Sequence, residues 1–329
     1  MAYDTICIVI PAFHPNEQLP AFCAQLRAGG FSHIVLIDDG NPPSYAGIFE
    51  EAERQGCAVL HHEGNRGKGA ALKTAFAYIR GALPACVGVV TADADGQHLA
   101  ADIALCADEL LANPGALVLG SRDFTAPQVP SRSRAGNGAA SSAFWLFCGR
   151  RVIDTQTGLR GVPAALLPRL LKTHGSRFDY ETNMLIDCAA ARVPFRCPSI
   201  STVYVGDNPS HFRTLSDTFY VFMCFVRHLL PSMAAFVLDF LLFWLFYVLL
   251  QHVPLGLFIA AAAARIVSAP VWHLLRRERD WARTLSLSLG GMLVSAVVMY
   301  LLHQWVGLSP LLVKPFIDVL IFFVVVHFP

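Results

Sequence analysis

The chain has 329 residues, 54% of them hydrophobic and 15% charged, and its formal net charge is +1 at pH 7. That balance excludes a bulk electrostatic attraction to nucleic acid. A mean hydropathy of +0.48 is too apolar for an ordinary soluble protein. The length allows two domains, and the apolar excess begins after about Arg227, where charges thin out. No signal-peptide pattern opens the sequence. The nine cysteines lie between Cys7 and Cys224. None forms a C-x-x-C pair, so they read as reduced, buried thiols of a cytosolic domain rather than zinc ligands.

In chain order, residues 5–11 form a continuous apolar run, the mark of a strand buried on both faces, and Pro11 is expected to end it. A loop over 12–16 leads to a predicted helix over 17–27. A second apolar run, 34–37, stops at Asp38-Asp39-Gly40-Asn41. A helix near 45–55 and a short strand over 58–60 follow. The loop over 63–69 then opens a helix running to about residue 80. The next strand stops at Asp93-Ala94-Asp95-Gly96-Gln97-His98. Strands alternating with helices predict an α/β domain with a mostly parallel sheet covered on both faces.

Three polar clusters therefore fall at strand ends or helix starts. Asp38 and Asp39 can accept hydrogen bonds from a base edge or a ribose hydroxyl; a turn or helix cap is the alternative. Asn65-Arg66-Gly67-Lys68-Gly69 suits anion binding through backbone N–H groups and a helix dipole. Its spacing is neither a Walker A loop nor a G-x-G-x-x-G fingerprint. Asp93 and Asp95, two residues apart in a tight loop, can converge on a hard cation, Mg²⁺ or Mn²⁺. Such a cation neutralises a departing diphosphate, although Asp-x-Asp-Gly is also ordinary turn chemistry.

Ile-Val-Ile-Pro-Ala-Phe, Ile-Asp-Asp-Gly, Asn-Arg-Gly-Lys-Gly-Ala-Ala and Asp-Ala-Asp-Gly-Gln-His occur in the order found in family 2 glycosyltransferases. Over about 5–217 the sequence resembles the GT-A members that transfer a hexose from a nucleotide sugar to polyprenyl or dolichyl phosphate. The resemblance implies Pro11, Ala12, Asp38 and Asp39 near the nucleoside. It implies Lys68 near the base or diphosphate, and Asp93, Asp95 and Gln97 around a divalent cation. Members usually carry Pro-Ala-Tyr-Asn-Glu after the first strand. Here the sequence is Pro11-Ala12-Phe13-His14-Pro15-Asn16-Glu17, which displaces Glu17 from the usual nucleotide-contacting place.

A strand over 116–119 ends near Arg122, where the family places a phosphate-binding Arg. Ser131-Arg132-Ser133-Arg134 precedes a helix over 135–148 with Phe144, Trp145 and Phe147 and basic ends. That pattern fits an interfacial membrane helix, about 134–149, or a core helix under the sheet. Arg134, at the helix start, is a second phosphate candidate. Residues 154–161 are polar and glycine-punctuated and are expected to be a loop between helices. There Asp154 and Gln156 could bind sugar hydroxyls and Arg160 a phosphate; the resemblance puts this loop near sugar and acceptor. Asp179 and Glu181 lead a helix over 181–191 and are candidates for hydroxyl recognition, with capping as the alternative. Ser210-His211-Phe212-Arg213 resembles a loop that closes over donor and acceptor and supplies a cation, which makes Ser210, His211 and Arg213 candidates. No general base is required, because a phosphate monoester with a second pKa of roughly 6 is largely dianionic at neutral pH. What it requires is charge neutralisation, for which Asp95 through the cation, Arg122, Arg134 and Arg213 are the candidates.

An apolar helix over 214–230 can lie in the headgroup layer. Four apolar stretches follow, at about 233–250, 255–272, 285–302 and 311–328. At ~1.5 Å per residue each is at the short end of what crosses a ~30 Å core. The loop over 276–283 carries four Arg, and the other two loops carry no Lys or Arg. The positive-inside rule places that loop, both termini and the catalytic domain in the cytosol. This region resembles the GtrA-like four-helix membrane domains, associated with lipid-linked sugars. Asp239, Arg265, Lys314 and Asp318 fall within spans and are expected to pair inside the bundle. The end, Val326-His327-Phe328-Pro329, has no basic tail, as for a weak final anchor or a truncated sequence.

The reading is a GT-A domain over 1–228 and a transmembrane domain over 229–329 in a cell membrane. It predicts inverting transfer of a hexose from GDP-mannose or UDP-glucose to polyprenyl phosphate, with Mg²⁺ or Mn²⁺ as cofactor. The partners are donor, lipid phosphate and bilayer, without nucleic acid and with a homo-oligomer allowed. A flippase or sugar-lipid-binding protein with a regulatory front domain is one alternative. A polysaccharide synthase is another, against which the Gln-x-x-Arg-Trp signature is absent. A nucleotidyltransferase would need a glycine-rich phosphate loop at the first strand.

Overall fold

The computed structural model describes residues 3–124, 129, 131–201, 214–252, 255–276 and 281–327. By internal packing the chain divides into two compact units, Met1–Trp145 with Arg150–Cys224, and Leu146–Gly149 with Phe225–Pro329.

The first unit is an α/β layer structure. Its elements in order are β1 (Ile6–Ala12), α1 (Leu19–Ala28), β2 (His33–Asp38), α2 (Ala46–Arg54), β3 (Ala58–His61), α3 (Lys68–Ala82), β4 (Gly88–Thr91) and α4 (Ala100–Ala112). Then come β5 (Leu117–Leu119), β6 (Ser121–Arg122), α5 (Ser131–Cys148), β7 (Arg160–Pro163), α6 (Leu167–Leu170), α7 (Asp179–Ala190), β8 (Phe195–Arg196) and β9 (Ser199–Ile200). Seven strands form one sheet in the order β3-β2-β1-β4-β7-β5-β8, and β6 pairs with β9. All pairings are parallel except those of β7 with β4 and β5. Ile6, Ile8, Ile10, Leu36 and Val90 lie in the core with Leu26, Phe49 and Ile103 from the covering helices.

Two departures from the sequence reading have physical causes. Pro11 does not end β1, which continues through Ala12. The Val9 carbonyl accepts from the Ala92 N–H at 2.9 Å. Pro11, two residues on, faces the same way, where β4 has already ended, so its missing N–H leaves no partner unmet. Residues 160–163 belong to a central strand, β7, and not to the expected loop. Arg-Gly-Val-Pro has no apolar alternation to announce a strand. Its Gly161 lets the backbones close, because a Cβ there would stand 2.9 Å from Val118 Cβ. Helix α4, whose buried Ile103, Cys106, Ala107 and Leu110 repeat at helical spacing, was not expected, and the two-residue strands β6, β8 and β9 are too short to show a pattern.

The strand order fixes where a ligand can sit. From β1 the chain moves out to β2 and β3, then returns to place β4 on the other side of β1. Open α/β sheets bind ligands outside the carboxyl ends of their strands at such a reversal. Ala12, Asp38 and the residues after Thr91 lie at those ends.

The second unit is helical. Its helices are α8 (Thr214–Leu250), which belongs to it from Phe225 on, α9 (Gly256–Arg276), α10 (Trp281–Val306) and α11 (Pro310–His327). Helix α8 is continuous through Pro231, where an interfacial helix followed by a separate span was expected. Among the described residues, Phe222–Leu250 and Ser286–Val306 are long and apolar enough to cross a membrane, and Gly256–Val271 is a shorter apolar helix. Large apolar side chains such as Leu241, Trp244 and Val248 are exposed on α8. The charges point inward. Lys314 Nζ lies 2.6 Å from Asp239 Oδ2 and 2.5 Å from Asp318 Oδ2, and Arg265 Nε lies 3.2 Å from Asp239 Oδ1. Ser268 and Ser295 donate to the two carboxylates at 2.7 and 2.9 Å. The expected pairing is therefore present and ties α8, α9 and α11, with α10 joined through the Ser295 hydrogen bond.

Two stability outcomes follow from these contacts. A Cβ at Gly69 would stand 2.4 Å from Tyr180 Cβ and 2.9 Å from the Ser176 carbonyl carbon. Gly69→Ala should therefore destabilise by about 1–3 kcal/mol in denaturant unfolding. Lys314→Met strands two buried carboxylates and should cost about 3–5 kcal/mol, seen as a lower melting temperature in detergent. A melting temperature unchanged from the parent would show that the pairs do not hold the bundle.

Candidate active site

The site is built on the carboxyl ends of β1, β2 and β4 and the first turns of α3 and α7. Asp39, just past β2, is 2% exposed. Its Oδ1 accepts from the Arg66 N–H at 2.9 Å and from His62 Nδ1 at 2.6 Å, and its Oδ2 from the Gly67 N–H at 2.8 Å. Asp39 thus moulds the glycine-rich loop. The glycines answer a steric need: Gly67 has φ 93°, and a Cβ on Gly40 (φ 74°) would meet the Gly64 backbone at 2.2 Å.

Asp38 accepts from the Asn41 N–H at 2.9 Å and from His61 Nδ1 at 2.9 Å. Burial works to raise its pKa, but the hydrogen bonds from Asn41 and His61 outweigh it and hold the carboxyl below its usual range. Ala12 offers its carbonyl to the Asp39 N–H and to Asn41 Nδ2. Pro11 is half-buried beside it.

Lys68, the first residue of α3, reaches Asp93 Oδ1 at 2.7 Å and Glu181 Oε2 at 3.0 Å. Burial disfavours the ammonium, but the charges of Asp93 and Glu181 outweigh it and raise the Lys68 pKa. For Asp93, burial is likewise outweighed by the Lys68 charge and by His98, which hold the carboxyl well below its usual range. Asp95 is different. Burial and then the neighbouring Asp93 charge push its pKa up. Its Oδ1 accepts only the Gln97 N–H, at 3.0 Å, among the described residues.

A divalent cation fits this chemistry. Burial and Asp93 penalise the Asp95 anion more than the charges of His98 and Lys68 relieve it, and Asp95 makes no ion pair among the described residues. Next to it, His98 Nε2 is buried without a hydrogen bond, 3.4 Å from Asp93 Oδ2. Gln97 is half-buried in the same loop. Carboxylate and amide oxygens suit Mg²⁺ or Mn²⁺. Among the described residues no three His, Cys, Asp or Glu side chains are pre-grouped around a metal. The remaining ligands of a hard cation would be waters or substrate oxygens.

Other predicted residues have structural work. Asp154 is fully buried and holds Arg122 in a fork, at 2.7 Å to Nε and 3.1 Å to Nη2. It also accepts the Gln156 N–H at 3.1 Å. This corrects the expectation that Asp154 meets a sugar hydroxyl. Arg160 is 1% exposed and donates to the backbone carbonyls of Thr157 at 2.9 Å and Glu181 at 2.7 Å. Its guanidinium is thus consumed inside the protein, which corrects the phosphate-binding expectation. Asp179 accepts the Arg177 N–H at 3.0 Å, a contact to the loop before α7, and α7 has no side-chain cap. Glu181 is 8% exposed and faces Lys68. Gln156 and Arg134 are exposed. Ser210, His211 and Arg213 lie outside the described residues. Sequence reasoning assigned no role to His62 or His98; His98 closes the Asp93–Asp95 loop, whereas His62 lies 23 residues from Asp39 and had no local signal.

Fold and site define an α/β domain with its polar cluster at the sheet's switch point. The model of glycosyl transferase family 2 matches residues 7–171, half of the chain, and the chain belongs to that family. It is 27% identical over 205 residues to an uncharacterized protein of Methanocaldococcus jannaschii, covering 61% of this chain and 82% of that one. It is 27% identical over 224 residues to the UDP-N-acetylglucosamine–dolichyl-phosphate N-acetylglucosaminyltransferase of Methanococcus voltae, covering 62% and 88%. Over 190 residues it is 29% identical to glycosyltransferase AglJ of Haloferax volcanii, covering 56% and 59%. Among solved structures, mannosyl-3-phosphoglycerate synthase from Rubrobacter xylanophilus superposes with a TM-score of 0.55 at 18% identity, over 70% of this chain and 75% of that one. Glucosyl-3-phosphoglycerate synthase from Mycobacterium tuberculosis, solved with Mn²⁺, UDP-glucose and phosphoglyceric acid, gives 0.51 at 18%, over 68% and 79%. At these identities the structural likeness shows the fold.

The Asp93–Lys68 pair has a pH signature. A lowered carboxyl pKa gives stability present above the ordinary value of about 3.9 and lost as pH falls through the folded value. A raised lysine pKa gives stability present below about 10.4 and lost as pH rises through the folded value. Asp93→Asn should therefore lower the melting temperature most between those limits. Its difference from the parent should shrink toward both extremes; a pH-independent difference would rule the pair out as its source.

Proposed function

We propose a metal-dependent, membrane-bound glycosyltransferase that moves a hexose from a nucleotide diphosphate sugar to polyprenyl phosphate, inverting the anomeric carbon. The observation that carries it is the unequal treatment of two neighbouring carboxylates at the sheet's switch point. Asp93 is ion-paired with Lys68, whereas Asp95 makes no ion pair among the described residues and has its pKa pushed up by burial and by Asp93. Support for a lipid-phosphate acceptor comes from the name of the Methanococcus voltae relative and from the apolar helices. That relative also adds UDP-N-acetylglucosamine to GDP-mannose and UDP-glucose as donors to test.

Asp95 and Gln97, beside Asp93, would hold Mg²⁺ or Mn²⁺. When bound, that cation would neutralise diphosphate charge as the leaving group departs. The chain's own residues do the rest. The loop shaped by Asp39 sets Lys68 on the first turn of α3, whose helix dipole favours an anion. Arg122, aimed by Asp154, and Arg134 offset the acceptor phosphate's charge as it approaches. The dianionic acceptor attacks in line without a general base. The helical unit, GtrA-like by resemblance, anchors the enzyme in the cell membrane with its catalytic unit in the cytosol.

The test is transfer of radiolabelled sugar from each of the three donors to polyprenyl phosphate in membranes containing the full chain. Transfer should need Mg²⁺ or Mn²⁺, stop with a chelator, and fall about hundredfold or more in Asp95→Ala. Undiminished turnover in Asp95→Ala would remove the metal role. No lipid-linked product from any donor, with sugar-lipid binding retained, would favour a carrier protein instead.

A further inference from the structure

We infer that Glu181 is a positioning residue that presets Lys68 for the donor. This rests on the proposed transferase reading and assigns Glu181 no contact with sugar or acceptor.

The geometry begins behind Glu181. Arg160 lies in β7 and is 1% exposed. It binds the Glu181 main-chain carbonyl at 2.7 Å through Nη1, and its Nε stands 3.9 Å from Glu181 Oε1. The same guanidinium holds the Thr157 carbonyl at 2.9 Å. Residue 181 is therefore fixed by main chain and charge together. The first turn of α3 is also tied to the loop that leads into α7: the Ala70 N–H donates to the Ser176 carbonyl at 2.9 Å. Gly69 leaves no room for a Cβ against Tyr180. The Lys68 and Glu181 backbones thus have little freedom to drift apart.

Across this joint the Glu181 carboxylate meets Lys68 Nζ at 3.0 Å, opposite Asp93 at 2.7 Å. A lysine stem is flexible and its ammonium is a point charge without direction. One carboxylate would tether it; two, from two different elements, set its place. The four groups balance, with Arg160 and Lys68 against Glu181 and Asp93. Lys68 is therefore ordered before any substrate arrives, and a donor diphosphate meets a cation whose ordering cost is already met. Glu181 is 8% exposed and its carboxylate faces Lys68, which leaves it poorly placed to bind a sugar hydroxyl.

The experiment is a double-mutant cycle on the full chain in detergent or native membranes. It measures equilibrium binding of UDP and of GDP with Mg²⁺, together with steady-state transfer from the donor that is turned over. Glu181→Gln keeps the shape and removes the charge. It should weaken nucleotide binding and raise donor KM about tenfold, while kcat and lipid-phosphate KM change less than about threefold. Lys68→Met should do the same, and the double variant should be no worse than Lys68→Met alone, because the two residues act as one. If Glu181→Gln does not fold, Glu181→Asp keeps the charge but withdraws it by one methylene and should show the same donor-side loss. Unchanged nucleotide affinity in Glu181→Gln, a loss confined to the acceptor KM, or losses that multiply in the double variant would each overturn the inference. Because nucleotide binding is read directly, these outcomes stand apart from the identity of the acceptor. Failure of lipid transfer in the parent chain, by contrast, strikes the proposed function alone.

Discussion

A single ammonium group between two carboxylates lets three chain segments converge at the sheet's edge. Without Lys68, Asp93 after β4 and Glu181 in α7 would bring two negative charges into a half-buried space already occupied by Asp95. Like charges that close disfavour ionisation and push the segments apart. With Lys68 both of those acids have a cationic partner, and Arg160 brings a second positive charge to Glu181. Asp95 makes no ion pair among the described residues, so the charge is unevenly spread before anything binds.

The same economy shapes the loops around it. Asp39 holds the glycine-rich loop by backbone hydrogen bonds, and Asp154 forks Arg122. Both acids sit one step back from where a ligand would lie. Buried acids with several donors around them are positioning groups, because removing their partners would leave an anion stranded in low dielectric. The outward-facing groups inherit their aim from these buried ones. The main-chain proximity of Gly40 and Gly64, and of Gly67 and Ser176, serves the same end by removing slack from the loops.

In the helical unit the polarity is reversed, with apolar side chains outward and charges inward. Two acids and two bases on three helices satisfy one another, and serines on α9 and α10 fill remaining acceptor positions. A charge at the centre of a membrane span costs about 2.5–3.5 kcal/mol on insertion scales. Pairing across helices is the economical way to keep such residues, and it also fixes how those helices register.

The sequence by itself determined the layered α/β domain, the helical region after it, and the strand-end positions of Asp38, Asp39, Asp93 and Asp95. These are local matters: an apolar run of strand length ending in acids needs no distant partner to be recognised. It also announced that Lys68 starts a helix, since glycines precede it. The tertiary structure alone decided which acids face a ligand and which face the protein. β7 enters the sheet antiparallel between β4 and β5 with only four residues of little pattern. That insertion buries Arg160 and brings Glu181 to Lys68, some 113 residues away by numbering. Asp154 and Glu181 looked like ligand-binding acids because sequence shows residue type and spacing. Whether a carboxylate meets solvent or an internal cation depends on long-range packing, and no local pattern encodes that.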